Sequence, residues 1–297
     1  MNKKITKAVI PAAGFATRFL PVSKAMPKQM LPLVDKPVIQ YVVEQLVEAG
    51  IEDIIIVTNY HERAIEDHFD RPHGDLVENL RMGGPKKKHL LDAIERVSEL
   101  ANFAYVRQKG PYGNGTPLLN VRHLVGDEPF IYAWSDEFFL ADPNPFQQLV
   151  RAYETYGTSC IGCIRASSDG DYTRFGYVDG TTIGDGAMDV KVMVEKPGKD
   201  KAPSDLATIS PYIFTPDIFH YVESAIKNTA NGSELYWNDV ANLMLGDGKK
   251  FTAVELKNAE YCDSGTPLTY LKTVIKIALR HPDVGEEFRA YLKSISL

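Results

Sequence analysis

Lys7-Ala-Val-Ile-Pro-Ala-Ala-Gly-Phe-Ala-Thr-Arg-Phe-Leu-Pro-Val-Ser-Lys-Ala-Met-Pro-Lys-Gln-Met-Leu-Pro32 is a short apolar strand, 7–11, running into a loop of small residues. Three cations follow at close spacing: Arg18, Lys24 and Lys28. Small residues let backbone N–H groups come close to a phosphate, and unpaired N–H groups in such a loop attract anions. Cationic side chains add charge-assisted contacts to phosphate oxygens. The bland alternative is a tight strand-to-helix turn that needs Gly14. The loop is neither a Walker loop nor G-x-G-x-x-G. Three cations in one loop repel one another unless an anion sits between them, so the stretch reads as a polyphosphate cradle.

Working outward, residues 37–49 carry apolar side chains at helical spacing and end at Gly50, a helix stop. Residues 53–58 form a nearly continuous β-branched run, as expected of a strand buried on both faces. Residues 61–69 read as a helix. This β-loop-α-β-α order is the grammar of a parallel sheet with right-handed crossovers. Further helices are expected over 76–101, 117–124, 145–155, 217–225, 239–245, 268–279 and 284–296. Strands are expected over 103–106, 129–134, 158–165, 176–178, 189–194, 206–214 and 251–256. The stretch 167–189 reads as a hairpin insertion. The charged run Lys86-Lys-Lys-His89 reads as a solvated helix face. The expected architecture is one α/β domain over 1–297, with late helical additions.

The chain has 297 residues, 44% of them apolar, enough for a sizeable core. A net charge of −6 argues against general nucleic-acid binding, which needs a basic face. Any anionic ligand must be held by a local cluster of cations. No apolar run approaches the ~18 residues of a membrane span. Three cysteines, Cys160, Cys163 and Cys262, fit a reducing cytoplasm. Cys160-Ile-Gly-Cys163 has metal or redox spacing without a second pair, and its place in a buried strand favours two inert core thiols.

Further candidate sites fall near expected strand ends, where open α/β sheets put ligands. Asp136 follows the strand 129–134 and suits either Mg²⁺ or an N-cap. Val194-Glu-Lys-Pro197 offers Lys196 to a phosphate and Glu195 to sugar hydroxyls, unless it is only a surface strand end. Tyr261-Cys-Asp-Ser-Gly-Thr-Pro267 supplies a second carboxylate, Asp263, ahead of a helix start. Together these supply an anion cradle, two carboxylates and a separate phosphate-binding lysine.

Ordered motifs along nearly the whole chain identify it as resembling the bacterial sugar-1-phosphate nucleotidyltransferases, and most similar to their uridylyltransferase branch. They are Ala13-Gly-Phe-Ala-Thr-Arg18 with Lys28, Leu31-Pro-Leu-Val-Asp-Lys-Pro37 with Ile39-Gln-Tyr41, Val106-Arg-Gln108, Val125-Gly-Asp-Glu-Pro129, Val194-Glu-Lys-Pro197 with Ala202-Pro-Ser204, and Asp263-Ser-Gly-Thr-Pro267. The resemblance implies a Rossmann-like α/β/α mixed sheet of the nucleotidyltransferase type with C-terminal helices. It implies transfer of a uridylyl group from UTP to glucose 1-phosphate, with Mg²⁺ as cofactor and UDP-glucose and pyrophosphate as products. By the same resemblance Arg18 and Lys28 neutralise the departing phosphates, supported by Lys24. Asp136 and Asp263 hold Mg²⁺. Lys196 grips the sugar phosphate, and Glu195 with the backbone at Gly176 holds the glucose hydroxyls. Backbone at Ala12, Ala13 and Gly14, with Gln108 and Gly113, reads the pyrimidine and ribose. A homodimer or homotetramer is implied, with about 268–297 as its contact element.

The chain departs from the family pattern at Ala16, where a glycine is usual, at Gln29, at Gly113-Asn-Gly-Thr-Pro117, at Ile209-Ser-Pro-Tyr212 and at Tyr236-Trp-Asn-Asp239. If residue 16 has positive φ, alanine there costs ~1 kcal/mol or more. The phosphate machinery is complete, while base and sugar selectivity turn on the altered loops. The alternatives are therefore a thymidylyl- or other sugar-1-phosphate nucleotidyltransferase, and a non-catalytic nucleotide-sugar-binding homologue.

Overall fold

The fold is that of a computed structural model, which describes residues 2–60, 62–228 and 233–295. The elements run β1 (Lys7–Pro11), β2 (Pro32–Leu33), β3 (Lys36–Pro37), α1 (Val38–Glu48), β4 (Asp53–Thr58), α2 (Arg63–Phe69), α3 (Gly74–Met82), α4 (Lys88–Ser98), β5 (Asn102–Arg107), α5 (Thr116–Val125), β6 (Phe130–Tyr132), β7 (Glu137–Leu140) and α6 (Pro145–Tyr156). They continue with β8 (Ser159–Arg165), β9 (Gly176–Gly184), β10 (Ala187–Glu195), β11 (Leu206–Phe214), α7 (Ile218–Asn228), α8 (Trp237–Gly246), β12 (Phe251–Glu255), β13 (Glu260–Asp263), α9 (Pro267–Ala278) and α10 (Gly285–Ser294).

Nine strands form one mixed sheet in the order β5-β4-β1-β6-β11-β8-β12-β10-β9. The first four are parallel, and β11 enters antiparallel to β6. Alternation along each strand splits the apolar side chains between two layers. Ala8 and Ile10 of β1, with Ile54 and Ile56 of β4, pack against α1 and α6. Val9, Ile55 and Val57 face the layer built by α5, α7 and α8. The chain leaves β1 toward β4 and β5, then crosses back to place β6 on the other flank of β1. That reversal of direction is where open α/β sheets form a ligand crevice, beyond the carboxyl ends of the strands.

The strands 7–11, 53–58 and 206–214 fall where periodicity puts them. Other elements differ. The helix expected over 76–101 is broken into α3 and α4 by Gly83-Gly84-Pro85, where proline cannot continue the hydrogen-bond ladder. The strand expected over 129–134 ends at Tyr132, although Ala133 N still donates to Val9 O at 3.0 Å. The hairpin of β9 and β10 is no appendage: it completes the edge of the main sheet, and the start of β9 also pairs with β11. A second, two-stranded sheet of β7 and β13 was not expected at all. His61 and Ser296, the ends of two expected helices, lie outside the described residues. Cys160 and Cys163 are both buried, on opposite faces of β8, because a spacing of three in a strand reverses the side chain. They share no site, and burial pushes both thiols up, Cys160 to about 12.

The opening loop is a further correction. Gly14 has no positive φ, and a Cβ there would meet nothing within 4 Å, so the turn does not require glycine at that position. The left-handed residue is Ala16, at φ 48° and ψ 43°, just ahead of a single 3₁₀ turn, Thr17–Phe19. Phe19 N and Ser23 Oγ both donate to Ala16 O, at 2.9 and 2.8 Å, and hold it there. Left-handed backbone is costly for an L-residue with a Cβ. Ala16→Gly should therefore raise the unfolding free energy by about 0.5–1 kcal/mol. Denaturant unfolding of the two proteins measures this, and an unchanged or lower midpoint would show that the loop carries no strain.

Candidate functional site

The crevice beside β1 holds a cavity of about 390 Å³, within the size of small-molecule sites. Ala13 and Gly14 line it, as do Lys28, Gln108, Gly113 and Asp136. Ser135 Oγ donates to Pro11 O at 2.9 Å and ties the ends of β6 and β1 together. Ala12 does not line the cavity. Its N–H donates to Val57 O at 2.8 Å and its carbonyl accepts Gln29 Nε2 at 2.9 Å, so its backbone is committed to the fold. Gly113 has φ 125°, and a Cβ there would collide with the Leu235 main chain. That close approach lets Leu235 N donate to Tyr112 O and Gly115 N to Leu235 O, both at 2.8 Å. Phe15 and Tyr112, both exposed, meet edge-to-face at 5.9 Å and also line the cavity.

The three cations of the opening do not converge on one point. Lys28 Nζ lies 2.5 Å from Asp136 Oδ2. Arg18 Nη1 reaches toward Gly265 O, at 3.5 Å. Lys24 lines a small adjoining cavity of about 50 Å³, with Asn59 and Glu62, and Lys28 stands between it and the larger one. Each strand end contributes a different part of the site.

Asp136 and Asp263 come together through the small sheet. In its register Asp263 stands opposite Glu137, and Ser264 N donates to Asp136 O at 2.9 Å. A Cβ built on Gly265 would stand 3.0 Å from Asp263 Oδ1 and 3.6 Å from Asp136 Oδ2, so the glycine leaves the space between the carboxylates open. Asp263 Oδ1 also accepts Gly265 N at 2.7 Å, and Oδ2 is paired with Arg174 Nη2 at 2.9 Å. Among the described residues no group of three or more His, Cys, Asp or Glu side chains could hold a metal ion alone. Two carboxylates suit Mg²⁺, which takes the rest of its oxygen shell from substrate phosphates and water. The donor set fits that ion.

A second cavity, of about 160 Å³, shares Asn114 and Trp134 with the first. It is lined by Gly176, Glu195 and Lys196, which the sheet brings together: Gly176 is opposite Glu195 in β10 and Thr208 in β11. Lys196 has a left-handed φ of 44°, its N–H donates to Phe175 O at 3.1 Å, and its Nζ lies 3.1 Å from Glu195 Oε1. Non-glycine residues held at such φ cluster at ligand sites.

Sequence reasoning missed several residues. Arg174 lines the second cavity and pairs with Asp263, and the only signal was a cation two residues before a strand-opening glycine. Tyr236 lies under Lys196, its ring centroid 5.4 Å from Nζ. Glu137, next to Asp136, accepts hydrogen bonds from Tyr261 Oη and from Ser210 N. Burial, with Asp136 nearby, pushes its carboxyl up to about 8.

Glu62, at the small cavity with Lys24, accepts Asn59 N at 2.7 Å, and burial pushes its carboxyl up to about 7 from 4.5. The folded protein therefore holds the proton more tightly than the unfolded chain. That contribution to stability is complete below pH 4.5, falls as pH rises to about 7, and is absent above. Glu62→Gln keeps the acceptor and removes the titration. Its melting temperature should gain on the wild type between pH 5 and about 7 and hold the gain above, whereas a gap that does not change with pH would contradict the shift.

The profile of the nucleotidyl transferase family matches residues 7–278. The UTP–glucose-1-phosphate uridylyltransferase of Staphylococcus epidermidis is 40% identical over 295 residues, 99% of this chain and 100% of that relative. The enzyme of the same name from Bacillus subtilis is 40% identical over 293 residues, 99% of this chain and 98% of that one. The UTP-bound UGPase of Acinetobacter baumannii superposes with a TM-score of 0.89 at 32% identity, over 98% of this chain and 100% of that one. A UDP-glucose pyrophosphorylase complexed with UDP-glucose gives a TM-score of 0.79 at 32% identity, with the same coverage. No helix among the described residues is long and apolar enough to cross a membrane. By sequence and by fold, the chain belongs to the nucleotidyl transferase family.

Proposed function

We propose that this chain transfers the uridylyl group of UTP to glucose 1-phosphate, giving UDP-glucose and pyrophosphate. Similarity over the full length to relatives of that name carries the reading. The geometry supports it: two cavities share a wall at Asn114 and Trp134, and Asp136 and Asp263 come together beside that wall. A phosphate oxygen of the sugar phosphate attacks the α-phosphorus. The new P–O bond forms as the bond to the β-phosphate breaks, and pyrophosphate leaves with the electron pair. Such a step needs positioning and charge neutralisation more than covalent catalysis.

In this reading Lys28 leaves Asp136 for the nucleotide phosphates, with Arg18 beside it at the Gly265 turn and Lys24 behind the loop. Backbone at Ala13, Gly14 and Gly113, with the Gln108 side chain, holds the pyrimidine and ribose, while Ala12 braces the loop from the sheet. Lys196 takes the sugar phosphate, and Glu195 and Gly176 take the hexose hydroxyls. Asp136 and Asp263 are the residues that would hold Mg²⁺, whose chemistry is to draw charge from phosphate oxygens as the bond breaks. The exposed apolar stripe Leu268, Leu271 and Ile275 along α9 supports the expectation that copies of the chain meet through 268–297.

The test is pyrophosphate release from purified protein with Mg²⁺ and glucose 1-phosphate, with UTP and dTTP supplied separately. The account expects strong preference for UTP. Preference for dTTP would assign the thymidylyl alternative, and silence with both would assign a binding protein. Asp136→Ala should cut turnover by roughly 100-fold or more with melting behaviour retained. Wild-type turnover in that variant would remove Asp136 from the chemistry.

A further inference from the structure

Asn238 is a buried polar residue of the second cavity that none of the roles above employs, and it carries an unpaired donor there. It is the second residue of α8, and its position is fixed by its neighbour. Trp237 is buried, its ring centroid 4.4 Å from that of Tyr212, and its backbone N–H donates to Asn114 Oδ1 at 2.9 Å. Asn238 thereby lines the cavity while only 2% exposed, and its Nδ2 has no hydrogen-bond partner. A buried amide donor left unpaired is costly, so a partner in the bound state is the economical explanation for retaining it.

The surroundings say what that partner is. A Cβ on Gly176 would stand 2.8 Å from Asn238 Nδ2, 2.8 Å from Thr208 Oγ1 and 3.0 Å from Glu195 Oε2. The glycine thus opens a space bounded by an amide donor, a hydroxyl and a carboxylate. The carboxylate repels a phosphate at this end, and Lys196 Nζ lies against the other oxygen of Glu195. A neutral group that can both accept and donate fits between Asn238 and Glu195, and a hexose hydroxyl is such a group.

We propose that Asn238 is a specificity-determining residue that donates its Nδ2–H to one ring hydroxyl of the sugar 1-phosphate, so that the site rejects a sugar lacking that hydroxyl. This rests on the uridylyl-transfer reading above. A site built to hydrogen-bond a substrate hydroxyl discriminates strongly against the analogue without it, because the buried donor is then stranded.

The experiment measures kcat/KM with UTP for glucose 1-phosphate and for its 2-, 3-, 4- and 6-deoxy analogues. It uses the wild type, Asn238→Leu, which keeps the volume, and Asn238→Ala. Binding of UDP-glucose is followed by calorimetry. The wild type should reject one analogue by roughly 100-fold or more. Both variants should lose at least about tenfold on glucose 1-phosphate, yet handle that one analogue as well as the wild type does, with KM for UTP unchanged. Equal losses on all five sugars would mean a structural role and overturn the proposal. So would a wild type that uses all four analogues alike, whether or not the variants fold. A wild type that neither turns over nor binds UDP-glucose overturns the functional reading and this inference with it. An active wild type whose discrimination survives in the variants overturns this inference alone.

Discussion

The constraint on which the site depends is charge neutrality in a crevice that gathers both signs. Lys28 sits on Asp136 at 2.5 Å, Arg174 on Asp263 at 2.9 Å and Lys196 on Glu195 at 3.1 Å. Lys28 and Lys196, both proposed to hold phosphates, and Arg174 beside them are thus each paired with a carboxylate proposed to hold metal or sugar, while Arg18 rests on the Gly265 carbonyl. Pairing lowers the cost of gathering so many charges in a small space. The consequence for function is exchange. In the proposed reading phosphates would compete for the cations and a divalent ion for the carboxylates, so polyanion and metal together would release what either alone would leave half-satisfied. In a chain of net charge −6 the proposed reading leaves the anionic substrates to this local arrangement and not to an overall field.

The sheet supplies the geometry for that arrangement. Placing β6 beside β1 brings Ser135 to Pro11 and Asp136 to the opening loop. The small sheet of β7 and β13 then brings Asp263 from the far end of the chain to Asp136. The bend of β9 onto β11 gathers Gly176, Glu195 and Thr208. The backbone bonds between 112–115 and Leu235, with Asn114 capping Trp237 N, join the wall of the larger cavity to the helix that carries Asn238. The two cavities are therefore walls of one frame, and a substitution at Gly113 would disturb both.

Much of this was legible in the sequence, and what was not has physical reasons. Runs such as Asp53–Thr58 and Leu206–Phe214 declare themselves because a strand buried on both faces is nearly continuous in apolar residues. Asp136 and Asp263 were visible as single carboxylates near strand ends, but their convergence depends on pairing between Glu137–Leu140 and Glu260–Asp263. Those strands are four residues each and more than a hundred apart, so no local pattern marks them. Lys24 and Arg18 looked equivalent by spacing, and only the 3₁₀ turns of the loop send Lys24 to the small cavity and Arg18 toward Gly265 O. Ala12 was named as ligand-binding backbone on the resemblance alone, and the sheet and Gln29 take up both its N–H and its carbonyl. The Cys160-Ile-Gly-Cys163 spacing loses its meaning once the strand is assigned, since period two sends the thiols to opposite layers.

The most direct test of the exchange account is the structure of the complex with UTP and Mg²⁺, read at one distance. The account predicts that Lys28 Nζ parts from Asp136 Oδ2, from 2.5 Å to beyond about 4 Å, with the amine on a phosphate oxygen and the carboxylate toward the metal. An ion pair still closed, with the nucleotide phosphates held elsewhere, would contradict it.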